Sequence, residues 1–139
     1  MIEGWHGDDY LLLFDDAEAC EFSARYDFGK YLAGYVLVGL RGWDDFIVKG
    51  ADGRFETVPT VPIDAAFLAP LDFSIDASRI VSDDRYRGKV KWYRNPLVFG
   101  GSPTDKDNMV WVPLEAHVDL VKFWNACYQR LKGPPASGS

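Results

Sequence analysis

The stretch GYVLVGLRGWDDFIVKGADGRFETVP, residues 34–59, reads as a meander of short strands. Tyr35, Val36, Leu37, Val38 and Leu40 form a β-branched and aromatic run punctuated by Gly34, Gly39 and Gly42, a composition that suits a pleated, half-buried surface. Phe46, Ile47 and Val48 form a second run. Asp52-Gly53 follows, a pair that tolerates positive φ at both turn positions and so predicts a tight reversal. Residues 54–58 lead away as a third run, which Pro59 and Pro62 end. One face of such a sheet must be covered. The segment best suited to cover it is 114–131, where Leu114, Val118, Val121, Trp124, Tyr128 and Leu131 recur at helical spacing, widened by Leu120, Phe123 and Cys127.

Outward from that stretch, YLLLF at 10–14 is too short for a helix and predicts a buried strand. Asp15 or Asp16 suits the N-cap of a short helix reaching about Arg25, and Phe28-Gly29 closes that region. Three prolines, Pro59, Pro62 and Pro70, make 60–71 a loop with one helical turn at 64–68, while 74–84 is polar and carries no clear signal. RYRGKVKWY at 85–93 alternates, with Arg85, Arg87, Lys89 and Lys91 on one side and Tyr86, Val90 and Trp92 on the other. It predicts a half-buried strand with a basic outer face. Asn95-Pro96 turns the chain, residues 97–99 are a short apolar run, 100–108 is a loop, 109–112 is a last strand, and Pro113 suits the first position of the C-terminal helix. Gly133-Pro134-Pro135 stops that helix and leaves 133–139 as a disordered tail. The fold expected is α+β: one domain over 1–132, a bent, mostly antiparallel sheet packed against a C-terminal helix and a short N-terminal helix.

A chain of 139 residues that is 47% hydrophobic and 15% aromatic can bury a real core without staples. No apolar run approaches the roughly 20 residues that cross a bilayer, and MIEGWHGDDY lacks a basic and an apolar leader region, so a soluble cytoplasmic protein is expected. Cys20 and Cys127 are too few and too distant for a metal knuckle or disulfide framework, and are expected to be buried thiols. The net charge of −6 is unevenly spread: residues 1–84 carry 17 acids against 6 bases, and residues 85–139 carry 4 acids against 9 bases. Either the two halves pair in the fold, or one face stays unpaired and steers a partner of opposite sign.

Asp44 and Asp45, beside Trp43, are the leading candidates for a partner-binding site, since aromatic and charged residues dominate binding hot spots. As neighbours on a strand the two carboxylates are expected to diverge, which argues against paired acid–base chemistry. The alternative is a solvated turn with Trp43 in the core. Asp8, Asp9, Asp83 and Asp84 repeat the acidic pair and could extend a negative face, although caps and solvated loops explain each alone. The basic strand with Tyr86, Trp92 and Tyr93 could be a nucleic-acid surface, but its even-numbered aromatics point away from the charges and the chain is acidic overall. Residues 105–108 lack the glycine and closing glutamate of a calcium loop. Gly100-Gly101 has no phosphate-loop lysine behind it. His6 and His117 are the only histidines, and no serine or cysteine sits in a nucleophile context. No cofactor, metal or catalytic residue is therefore assigned. An enzyme would require acids and His117 to converge in a cleft between sheet and helix.

Several segments together resemble the SUKH superfamily, which includes a fungal cell-wall assembly regulator and many bacterial immunity proteins. They are GYVLVGLRGWDDFIV, PTVPID, KVKWYRNPLVFGGSPTDKDNMVWV and HVDLVKFWNACYQRL, covering most of 30–131. The resemblance implies an α+β fold with a strongly bent antiparallel sheet. It also implies a non-catalytic protein that binds and neutralises a cognate polymorphic toxin by occluding its active site. The charge suggests a basic toxin, such as a nuclease, as the partner. Nucleic acid and membrane are not expected as partners, and the protein is expected as a monomer or weak dimer. The alternative is a regulatory interaction domain with an endogenous partner.

Overall fold

The computed structural model describes residues 1–72, 74 and 76–132, so the tail expected at 133–139 lies outside the described residues. The meander is present and larger than expected. β1 (Ile2–His6) and β2 (Asp9–Leu13) pair antiparallel through the two-residue loop Gly7-Asp8, with His6 opposite Asp9. Gly7 takes φ 62°, which such a loop accepts readily at its first position. The expectation that the sheet starts at residue 10 is corrected here. IEGWH gives no strand signal because only Gly4 of its five residues is buried, leaving almost no apolar pattern.

β3 (Val36–Arg41), β4 (Asp45–Lys49), β5 (Phe55–Pro59) and the two-residue β6 (Ala69–Pro70) continue the sheet in chain order, antiparallel throughout. The reversal between β4 and β5 runs over residues 50–53. Gly53 N–H donates to the Gly50 carbonyl at 3.0 Å, and the Asp52 carboxylate accepts from Arg54 N–H at 3.0 Å. Of the expected Asp-Gly pair only Gly53 has positive φ, 82°.

The connection from β2 to β3 is helical. α1 (Asp16–Arg25) begins with a capping box in which Asp15 accepts from Glu18 N–H at 2.8 Å and Glu18 accepts from Asp15 N–H at 3.0 Å. Its apolar face stacks Phe22 on Phe14, ring centroids 4.7 Å apart. Phe28-Gly29 does not end the region: it opens α2 (Phe28–Tyr31), a single turn that buries Phe28.

β7 (Lys89–Tyr93) and β8 (Met109–Pro113) form a separate two-stranded ribbon. β7 is half the expected length, because residues 84–88 form turns and Gly88 takes φ 72°. Short 3-10 turns at Ala65–Phe67, Leu97–Phe99 and Lys106–Asn108 fill the loops, the first matching the turn expected at 64–68. α3 (Leu114–Lys132) follows Pro113, which lies just outside the helix rather than in its first position.

The core gathers Tyr10, Leu12, Leu37, Leu40, Phe46, Val48 and Val58 from the sheet, Phe22 and Tyr26 from the N-terminal helical region, Val90 and Trp92 from the ribbon, and Val118 and Val121 from α3. The helix therefore covers the sheet together with the ribbon. Its buried face is His117, Val118, Val121 and Asn125, while Phe123 and Leu131 of the expected stripe are 57% and 74% exposed. Cys20 is exposed and Cys127 half-buried, contrary to the expectation of buried thiols. Leu11 and Ile47 are buried on the reverse face of the sheet. The chain after β6 runs back along β1, where Trp5 and Val81 exchange backbone hydrogen bonds of 2.8 and 2.9 Å. Gly4 permits that approach, since a Cβ there would overlap the Val81 carbonyl.

Asn125 ties α3 to the loop after β5. Its Oδ1 accepts from Ile63 N–H at 2.7 Å, and its Nδ2 donates to the carbonyls of Thr60 at 2.8 Å and Val121 at 2.9 Å. Removing it strands buried backbone groups. Asn125→Ala is expected to cost about 3 kcal/mol in urea unfolding, against about 1 kcal/mol for Asp15→Ala at the solvated helix cap.

Candidate functional site

Between β3 and β4 the chain reverses over Gly42-Trp43-Asp44. Trp43 has φ 63°, and Asp44 N–H donates to the Gly42 carbonyl at 2.7 Å. This is a γ-turn, a strained conformation for a bulky side chain. The strain is held by aromatic packing. The Trp43 indole stacks on Tyr10 at 4.7 Å and 20°, and meets Trp5 at 6.0 Å, Tyr86 at 5.4 Å and Trp111 at 4.9 Å. Trp43 is thus the half-buried centre of a five-ring cluster, with its Nε1 buried and without a hydrogen-bond partner among the described residues. The outermost ring is Trp111, 36% exposed, which rests on both Trp43 and Tyr86.

Asp44 and Asp45 both border one cleft, but their carboxylates take different partners, as the expected divergence has it: Asp44 reaches Lys91 of the ribbon, while Asp45 pairs across to Arg41 of β3. The cleft, about 290 Å³, is lined by Asp44, Asp45, Pro59, Thr60, Val61, Lys91, Trp92, Tyr93, Pro96 and Leu97. Asp44 accepts from Lys91 Nζ at 2.8 Å. Burial disfavours the Lys91 ammonium, but the bond to Asp44 and the nearby Tyr93 outweigh it and raise its pKa. Asp45 has a looser partner, Arg41 at 3.7 Å. Desolvation raises the Asp45 pKa, Arg41 opposes this, and the Asp44 charge adds to the rise.

Strand pairing sets what surrounds the cleft. Lys91 lies opposite Trp111 and Tyr93 opposite Met109, so these four share the outer face of the ribbon while Val90 and Trp92 face the core. Met109, Leu97 and Val98 are 39%, 45% and 44% exposed. The result is a continuous surface from Trp111 and Met109 across Lys91 and Asp44 to Leu97. The sequence offers Lys91 and Tyr93 only as part of a nucleic-acid surface and points to no site role for Met109 and Trp111. The signal was present in KVKWY and MVWVP, where alternation puts a tyrosine, a methionine and a tryptophan on the wet side.

Of the other acidic pairs, Asp83 joins this region. It accepts from Trp5 Nε1 at 3.0 Å and from Arg85 at 2.8 and 3.0 Å, and these bonds, Arg85 first, hold its carboxyl well below the usual range. Asp84 is exposed and pairs with Arg87 at 3.0 Å. Asp8 is exposed at the tip of the β1–β2 hairpin, and Asp9 lines a separate cavity with His6, Leu11, Arg41, Ile47, Leu71, Asp72 and Ser74. The acidic pairs therefore do not form one face. Nor do the bases at 85–91 form a row: Arg85 and Arg87 leave the strand and Lys91 is neutralised. Lys122 pairs with Asp27 at 3.8 Å and Lys132 with Asp64 at 2.8 Å. Basic residues of the C-terminal half thus meet acids of the N-terminal half, which accounts for much of the charge asymmetry.

His117 sits elsewhere, fully buried, with Nδ1 2.7 Å from the Tyr26 hydroxyl and its ring against Trp92 and Phe46. Burial pushes its pKa down to about 3, so the ring is neutral. It serves there as a packing and hydrogen-bonding residue of the core. Among the described residues no group of three or more His, Cys, Asp or Glu is placed to hold a metal ion, and no helix is long and apolar enough to cross a membrane.

Two variants test the turn. Trp43→Gly and Trp43→Ala both lose the stacking, but only alanine retains the strain of positive φ, so the glycine variant is expected to be more stable in urea by about 1 kcal/mol. Asp45 binds its proton more tightly in the folded than in the unfolded chain. Its contribution to stability is therefore complete below the ordinary carboxylate pKa and is lost as pH rises through the folded value. Asp45→Asn is expected to stabilise the protein at pH 7, with the gain vanishing on acidification through the carboxylate range, as read from thermal unfolding across pH.

In comparisons with known proteins, no family model, no curated protein and no solved structure matches this chain.

Proposed function

We propose that this protein is a non-catalytic immunity protein that captures a protein toxin and occludes its active site, using the face built from the β7–β8 ribbon and the β3–β4 turn. The observation that carries the reading is the run of exposed Trp111, Met109 and Leu97 around the Lys91–Asp44 ion pair. Exposed aromatic and methionine side chains rimmed by charge are the composition of a protein-binding patch. They are also held in place before binding, Trp111 by Trp43 and Tyr86, which lowers the ordering cost of association. The position of His117, packed among aromatic rings rather than in the cleft, favours binding over acid–base chemistry.

The toxin as partner comes from the SUKH resemblance, together with cytoplasmic action and a monomeric or weakly dimeric state. A basic partner, such as a nuclease, follows from the net charge of −6, which favours rapid association with a cation-rich surface. Nucleic acid and membrane have no part in the reading. The test is co-expression with toxins encoded beside this gene, scored by growth rescue and by affinity of the purified pair. Wild type is expected to rescue growth. Met109→Glu is expected to weaken affinity by about tenfold or more, while Val36→Glu, equally exposed on a distant part of the sheet, leaves it unchanged. Failure of wild type to bind or rescue against every neighbouring toxin overturns the immunity role, and sensitivity to Val36 rather than Met109 overturns the face.

A further inference from the structure

α3 carries two apolar faces, and the core uses one of them. At about 100° per residue, Leu120, Phe123, Trp124, Cys127 and Leu131 form a stripe turned by roughly 120° from the buried His117, Val118, Val121 and Asn125. No charged residue interrupts that stripe. Leu120, Trp124, Cys127 and Leu131 follow one another at intervals of four, three and four residues, the seam spacing of paired helices. Its inner margin is covered, since Phe99 packs on Trp124 at 5.1 Å. Its outer part is not. Phe123 meets Trp124 edge-on at 5.2 Å and is still 57% exposed, and Leu131 is 74% exposed.

Charge borders the stripe along its outer edge. Asp119 and Arg130 are exposed there, beside Phe123 on the helical wheel. Asp119 has no partner among the described residues, and Arg130 meets only Cys127 Sγ, at 3.1 Å. Lys122 and Lys132, by contrast, are paired with Asp27 and Asp64. The unpaired acid thus stands near the start of the stripe and the unpaired base near its end.

We propose that this stripe docks on the same stripe of a second copy of the chain, the two α3 helices running antiparallel about a two-fold axis. A pattern that reads acid, apolar seam, base along one helix is complementary to its own reverse. Antiparallel pairing sets Leu120 against Leu131 and Trp124 against Cys127. It also brings Asp119 of each copy within a helical turn of Arg130 of the other, and the symmetry makes that pair twice. Parallel pairing would oppose Asp119 to Asp119 and Arg130 to Arg130, which is repulsive. From Leu120 to Leu131 the seam is about 17 Å long at 1.5 Å per residue. That is short for the roughly 800 Å² per partner of stable complexes, so the dimer is weak, dissociating at about 10–100 µM. The proposal stands apart from toxin capture, because Met109 and Lys91 lie on the ribbon and not on this stripe.

The experiment is sedimentation velocity of the full-length protein from about 10 to about 500 µM, with reductant present so that the exposed Cys20 cannot link copies. Wild type is expected to pass from monomer to dimer across that range. Phe123→Glu changes an exposed side chain, so it is expected to keep the urea midpoint and weaken association about tenfold or more. Asp119→Arg and Arg130→Asp each place like charges together and are each expected to weaken it about threefold to tenfold. The double exchange, Asp119→Arg with Arg130→Asp, is expected to restore the wild-type constant, an outcome that general stickiness of the stripe does not produce. A protein that stays monomeric, a dimer indifferent to Phe123→Glu, or a double exchange no tighter than the single ones overturns the proposal. Met109→Glu is expected to leave the dimer intact and Phe123→Glu to leave toxin capture intact, so either reading can fail while the other stands.

Discussion

The stacking of Trp43 on Tyr10 is the contact from which the rest of the structure follows. A tryptophan at the centre of a γ-turn is unfavourable in isolation. It persists because four further rings, from β1, β2, the turn before β7, and β8, close around it. The ring cluster therefore does two things with one set of contacts. It docks the ribbon against the sheet, and it holds the β3–β4 turn so that Asp44 faces the ribbon. The Lys91–Asp44 bond then joins the polar rim of the same seam.

α3 is anchored by different means. Val118 and Val121 supply burial, but Asn125 supplies direction, because its amide matches particular backbone groups at Thr60 and Ile63. His117 adds a second buried polar contact, to Tyr26. Apolar packing tolerates sliding, whereas buried hydrogen bonds do not. These two residues fix the register of the helix, and with it the start of β8 and the position of Trp111.

Much of the fold was legible because local rules operate there. The meander, the capped first helix and the long C-terminal helix each announce themselves through period, caps or turn residues. The misses have physical causes. β1 carries a glycine and a histidine where a strand pattern wants apolar residues, so pairing rather than propensity makes it a strand. The strand expected at 85–93 is shorter in the fold because alternation continues through a segment that Gly88 and the Asp83–Arg85 contact turn aside. On α3, Phe123 and Leu131 looked like core, while Asn125 is the buried residue, its amide satisfied by groups more than sixty positions away in the chain.

Sequence alone determined the α+β class, the elements of the meander and the aromatic-rich interior. These depend on spacing between near neighbours. Only the tertiary structure decided that Trp43 points inward, that Lys91 answers Asp44, and that Trp111 and Met109 form the outer surface beside that pair. Each of those depends on the register between distant strands, and a slip of one residue reverses which face a side chain occupies.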